Sequence, residues 1–140
     1  MAGALSPAVR AFLEAPRFAV LATVSPAGSP VQSVMWYELV GDEILMNTRR
    51  GRVKDRHITR DRRVSICVED GYRFVAISGK VTRVVDDQRE AHADILRLGV
   101  RYDGREKADR EFAATWSKQE RVTYFVSVER VHAPGFEEVS

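Results

Sequence analysis

The sequence has one cysteine, Cys67, which excludes an internal disulfide framework and fits a reducing compartment. No apolar stretch approaches the ~20 residues that cross a bilayer. The first residues, MAGALSPAVRAF, lack a charged segment leading into a long apolar one, so no secretion signal is expected. The expected location is the cytoplasm, without a membrane partner. Neither GxSxG nor GxGxxG occurs. His57, His92 and His132 are scattered, and none pairs with Cys67 or an acid at a metal-ligand spacing, so no metal site is expected. No acid–base constellation for hydrolysis stands out, which leaves the catalytic residues unassigned.

What the chain has is charge concentrated in one place. From Arg49 to Arg63 (RRGRVKDRHITRDRR) lie eight of its 22 basic residues and only two acids, giving +6. The remainder has 14 bases against 18 acids, so a protein of net charge +2 is an acidic scaffold with one cationic site. Such a concentration selects anionic partners. Of the 22 bases 18 are arginine, whose planar fork suits phosphate and carboxylate. With 44% apolar and 30% charged residues in 140, the expectation is a single folded domain spanning 1–140.

Ser6-Pro7 reads as a helix start with Val9, Phe12 and Leu13 on one face. Strands are expected at 18–24, 31–39, 44–48, 63–69, 72–85 and 122–133, with Gly79 a bulge or bend in the fifth. A short helix covers 52–60. Two more helices lie within a helical insertion at about 87–117. Asp87 opens the first, Gly99 ends it, and Ala108, Phe112 and Trp116 share a face of the second. The order predicts a mainly β fold with flanking helices, a six-stranded antiparallel sheet closed into a small split barrel. Phe18, Phe74 and Phe125 fall in apolar strand contexts and are expected in the core. Cys67 is expected to be a small, buried or half-buried thiol, and His57 a surface residue.

The basic run leaves a strand through Thr48, Arg49, Arg50 and Gly51 and enters a helix start, where unpaired N–H groups attract phosphate. Gly51 permits close backbone approach, Thr48 offers a hydroxyl, Arg49 or Arg52 a bidentate fork, and Lys54 a point charge. A solvated cationic helix face is the competing reading, and the residues alone leave the two level. Nucleic acid is not expected as a partner, because the aromatics that would accompany such a surface read as core. Gln32, Ser33, Val34, Met35 and Trp36 mix amide, hydroxyl and apolar groups that suit a planar heterocycle. Taken one at a time, each is better explained by an ordinary strand with one face inside a barrel and one outside.

The segments FAVLATVSPAGSPVQSVMWYEL, ILMNTRRGRVKDRHITRDRRVSICVED and GYRFVAISGKV together resemble the pyridoxamine 5'-phosphate oxidase-like split β-barrel proteins. The similarity runs from about Leu5 to Pro134. Its most specific parts are Arg52-Val53-Lys54 and Ile58 to Ser65, and it looks closest to the branch that binds the deazaflavin coenzyme F420. The resemblance implies a homodimer with cofactors in grooves between two barrels. It implies that Arg52 and Lys54 bind the cofactor phosphate, helped by Thr48 and by Arg49 or Arg50, and that Gln32 to Met35 line the ring. Tyr72 matches an aromatic position that approaches the neighbouring subunit's cofactor. The implied activity is hydride transfer between F420 and a small conjugated or heterocyclic substrate, with Tyr37 and Tyr72 the candidate proton donors. Surplus arginines such as Arg50, Arg56 and Arg60 would meet the acidic tail of F420. Flavin mononucleotide (FMN), which lacks that tail, is the alternative cofactor, and a carrier without turnover the alternative function.

Overall fold

In the computed structural model, which describes residues 5–136, the strands form one antiparallel sheet. The elements are α1 (Pro7–Glu14), β1 (Ala19–Val24), β2 (Pro30–Met35), β3 (Glu38–Val40), β4 (Glu43–Arg49), α2 (Val53–Arg60), β5 (Arg63–Glu69), β6 (Phe74–Val85), α3 (Gln88–Asp103), α4 (Arg105–Ala114) and β7 (Arg121–His132), with a 3-10 turn at Trp116–Lys118. The sheet order is β2-β1-β5-β6-β7-β4-β3, seven strands rather than six. The extra strand comes from a break at Trp36 and Tyr37, which divides the expected 31–39 strand. Its first half pairs with β1 and its second with β4.

The break has a local cause. Tyr37 N–H donates to Tyr102 Oη (3.1 Å) and its carbonyl accepts from Arg101 Nε (3.1 Å), so both backbone groups are satisfied by α3 side chains rather than by a ladder. Arg101 also donates to the carbonyls of Glu14 (2.9 Å) and Ala15 (3.1 Å) at the end of α1, where a cation suits the helix dipole. The Tyr37 hydroxyl donates to Leu13 O (2.9 Å) and lies near Ala15 O (3.2 Å).

This crossing fixes the shape of the sheet. Laid flat, seven strands at the usual spacing would hold β2 and β3 about 29 Å apart. Three trans peptide steps from Met35 to Glu38 span at most about 11 Å. The sheet therefore curls until its edges meet, although β2 and β3 share no ladder and the barrel is not closed by hydrogen bonds.

Alternation then sorts the side chains. Ile44, Met46, Tyr124 and Val126 point inward to a core that also takes Val9, Phe12 and Leu13 of α1. Leu45, Phe125 and Val85 face outward and pack on Ile95 and Leu98 of α3. Ser6 caps α1 by accepting from Val9 N (3.2 Å). At Gly79 the β6–β7 register shifts, and a Cβ there would lie 1.9 Å from Ser127 O. Gly99 does not end α3, which runs on to Asp103 and stops at Gly104 with φ +87°. Its role is to admit Trp116, whose ring would sit 2.7 Å from a Cβ at this position. Phe125 is buried as expected, but Phe18 is 63% exposed and Phe74 37%. Phe18 precedes β1, and Phe74 alternates out of phase with buried Val75.

Arg101→Ala would strip donors from the carbonyls of Tyr37, Glu14 and Ala15 together. The expected loss is about 2–3 kcal/mol, read from the urea midpoint at unchanged m-value.

Candidate functional site

The curl brings β2 against the start of α2, although the two are remote along the sheet. A groove of about 240 Å³ is lined by Gln32 and Ser33 on one side and by Arg52, Val53 and Lys54 on the other. Val34 and Met35, the next residues of β2, line a second hollow of about 230 Å³ with Asn47 and Arg121. Thr48 is buried in β4 opposite Val122 and lines neither space. Tyr72 is 97% exposed at the β5–β6 turn, where Asp70 Oδ1 accepts from its N–H (2.9 Å).

The cations divide into a compensated set and an uncompensated one. Asp55 is buried behind the basic loop. It accepts from Gly51 N–H (2.8 Å) and from the Tyr124 hydroxyl, and lies 3.6 Å from Arg50 Nη1. Burial, and then Asp55, pushes the Tyr124 phenol well above its ordinary range. Gly51 has φ +89°, a conformation that favours glycine, so its role is to turn the loop. Its amide is taken by Asp55 and is not offered to a phosphate. The amides of Val53 and Lys54 precede the first i→i−4 bond of α2, Arg56 N to Arg52 O (3.1 Å), and have no helical partner.

Arg49, Arg52, Lys54 and Arg121 are an uncompensated set around the ends of β4 and β7; Arg56, Arg60 and Arg62, further along the run, also pair with no carboxylate of the described residues. Strand register places Arg49 opposite Arg121. Among the described residues no carboxylate lies within 4.0 Å of any of the four. Burial, and then Arg52 and Arg49, brings the Arg121 guanidinium down to about 10. Lys54 is lowered by burial, then by Arg52 and Arg121. Like charges held this close in a partly desolvated place call for an anion.

Comparison with known proteins gives the family: the pyridoxamine 5'-phosphate oxidase model covers residues 5–130. The chain belongs to that family. Within the pyridoxamine 5'-phosphate oxidase fold it is similar to a solved F420 reductase, at 29% identity and TM-score 0.72 over 88% of this chain and 94% of the other. A conserved hypothetical protein from Mycobacterium tuberculosis is 26% identical, with TM-score 0.76 over 98% and 92% of the two chains. A heme storage protein from Vibrio cholerae shares the fold at 19% identity and TM-score 0.71, over 94% and 96%. No curated protein sequence matches.

Two further expectations change, and two residues are added. Tyr37 is fully buried, and desolvation first pushes its phenol up to about 12, so it holds the crossing and is no proton donor to a ligand. His57 is buried rather than at the surface, its Nδ1 2.9 Å from Thr23 Oγ1 behind the groove. Arg121 and Asn47 went unnoticed in the sequence because only strand register brings them to the site.

Lys54 also carries a stability prediction. Its folded pKa lies below its unfolded value, so in the alkaline window between them the unfolded chain binds more protons and stability rises with pH. At neutral pH the penalty is fully present. Lys54→Gln should therefore raise the unfolding temperature of the ligand-free protein at neutral pH, with the gap narrowing as pH rises. Added phosphate should stabilise the wild type more than the variant. An equal response of both would place the anion elsewhere.

Proposed function

We propose that this protein is an oxidoreductase that uses reduced coenzyme F420 to deliver a hydride to a small conjugated or heterocyclic substrate. We propose further that it works as a homodimer with the coenzyme between the two barrels. The observation that carries the reading is the set of four cations without a carboxylate beside a strand of mixed polar and apolar side chains. One phosphate is met by Arg52 and Lys54. The remaining positive charge of the basic run, Arg49 with Arg56 and Arg60, suits the acidic tail that distinguishes F420 from FMN, while Arg121 lines the second hollow. The 29% identical F420 reductase supports the same choice. FMN stays as the second reading, favoured by the family match and by the sufficiency of Arg52 and Lys54 for its single phosphate.

The residues divide the work. Gln32 and Ser33 offer hydrogen bonds to the edge of a flat ring, and Val34, 67% exposed, offers apolar contact. When bound, the reduced coenzyme supplies the hydride. The chain contributes position and exclusion of water, which explains the lack of an acid–base constellation. The proton comes from solvent, from the substrate, or from the partner subunit's Tyr72. Exposed Phe18, Val31, Val34, Tyr72 and Phe74 belong to the β2-β1-β5-β6 side of the sheet, and such apolar exposure suits a second copy.

Fluorescence titration of the purified protein with F420 and with FMN tests the reading. Micromolar binding of F420 without binding of FMN is expected, and the reverse sinks it. Lys54→Gln should weaken F420 by about 1.5–3 kcal/mol, the worth of a charged hydrogen bond, or roughly 10- to 150-fold. Binding without hydride transfer to quinones, enones or tetrapyrroles would identify a carrier.

A further inference from the structure

The second hollow differs in character from the groove above it. Trp36 and Trp116 meet edge to face at 6.0 Å and form an aromatic corner, with Ile95 and Leu98 of α3 beside it. Trp36 is held in place by stacking on Tyr102 at 5.1 Å and 7°. Only two polar side chains line the space, Asn47 and Arg121, which are 6% and 8% exposed.

Arg121 is fixed from several sides. Its Nε donates to Asn47 Oδ1 (3.0 Å) and its Nη1 to Gln119 Oε1 (2.6 Å). Gln88 accepts from its backbone N–H (2.8 Å) and donates to its carbonyl (2.9 Å). Asn47 donates to Thr123 Oγ1 (2.9 Å), and Thr123 donates to Asp94 (2.8 Å). Asp94, the nearest acid along this chain of bonds, is already paired with Arg97 at 3.0 Å. Arg121 Nη2 makes no hydrogen bond to a described residue. A guanidinium held this firmly, with one donor group that meets no protein acceptor and opens on the hollow and its solvent, suits an anion. Arg121 does not line the groove of Gln32, Arg52 and Lys54, so the anion it serves need not be the cofactor phosphate.

We propose that this hollow binds a planar, unsaturated carboxylate, with its flat body against Trp36 and Trp116 and its carboxylate on Arg121. That the ligand is the substrate rests on the oxidoreductase reading; the binding itself needs no coenzyme. Asn47 is a positioning residue, acting through Arg121.

The chain has two tryptophans, and both line this hollow, so intrinsic fluorescence reports on it directly. The test titrates the coenzyme-free protein with trans-cinnamate and with cinnamamide, which differs in charge at nearly equal shape. Calorimetry in parallel removes any effect of ligand absorbance. Saturable binding of the acid, at least tenfold tighter than the amide, is expected. Arg121→Gln should abolish that preference. No saturable binding, equal affinity for acid and amide, or an unchanged preference in folded Arg121→Gln would overturn the proposal. The acid–amide pair in the unmodified protein keeps the test valid if that variant fails to fold. Cinnamate binding with binding of neither F420 nor FMN would retain the hollow and remove the oxidoreductase reading. F420 binding without cinnamate binding would do the reverse.

Discussion

Two residues, Trp36 and Tyr37, carry the chain from one edge of the sheet to the other, and the rest of the arrangement depends on that short reach. The curl it forces sets Gln32 and Ser33 of β2 facing Arg52 and Lys54 beyond β4. A flat sheet of the same order would leave those residues on opposite margins. The crossing itself is held by Arg101 and Tyr102, whose side chains occupy the backbone groups of Tyr37 that would otherwise seek strand partners. The candidate site thus depends on α3 as much as on the strands that line it.

Charge is arranged with the same economy of partners. Asp55 draws Gly51, Arg50 and Tyr124 together from behind, which shapes the basic loop without neutralising its outer side. Arg49, Arg52, Lys54 and Arg121 stay uncompensated, and burial first, then their mutual repulsion, lowers Lys54 and Arg121. A fold retains such a cluster at a cost in stability, and function is the usual reason for tolerating it.

Features set by neighbours in sequence were legible beforehand. The Ser6 cap, the strand–loop–helix passage through the basic run, the bulge at Gly79 and most strand positions follow from local pattern. Features set by register were not. Nothing near Arg121 in sequence announces that it faces Arg49 across β4 and β7. Gly99 looked like a helix stop because glycine weakens helices, yet close packing of Trp116 keeps it inside α3. The 31–39 run reads as one strand because its alternation continues through Trp36 and Tyr37; only the partners supplied by α3 reveal the break. Phe18 was misplaced for a related reason, since apolar character marks an exposed contact surface as readily as a core.

The helices between β6 and β7 border the second hollow, and their attachments limit how they can move. α3 is tied to the sheet by Asn47 to Ala91 O (2.9 Å), by Gln88 to Arg121, and by Arg101 and Tyr102 at the crossing. Moving it would break bonds that shape the barrel and orient Arg121. α4 is different: Ala108 is its one buried residue, and its Arg105–Asp109 and Arg110–Glu106 pairs are exposed. Such pairs contribute little to stability. α3 therefore supplies the fixed floor of the second hollow, and Trp116, seated against Gly99 and Trp36, is held to it. The freer part is α4, whose substitutions can reshape the surroundings of the hollow without disturbing the groove at Arg52 and Lys54. On the proposed function, one barrel could in this way keep a cofactor seat constant while its substrates diverge.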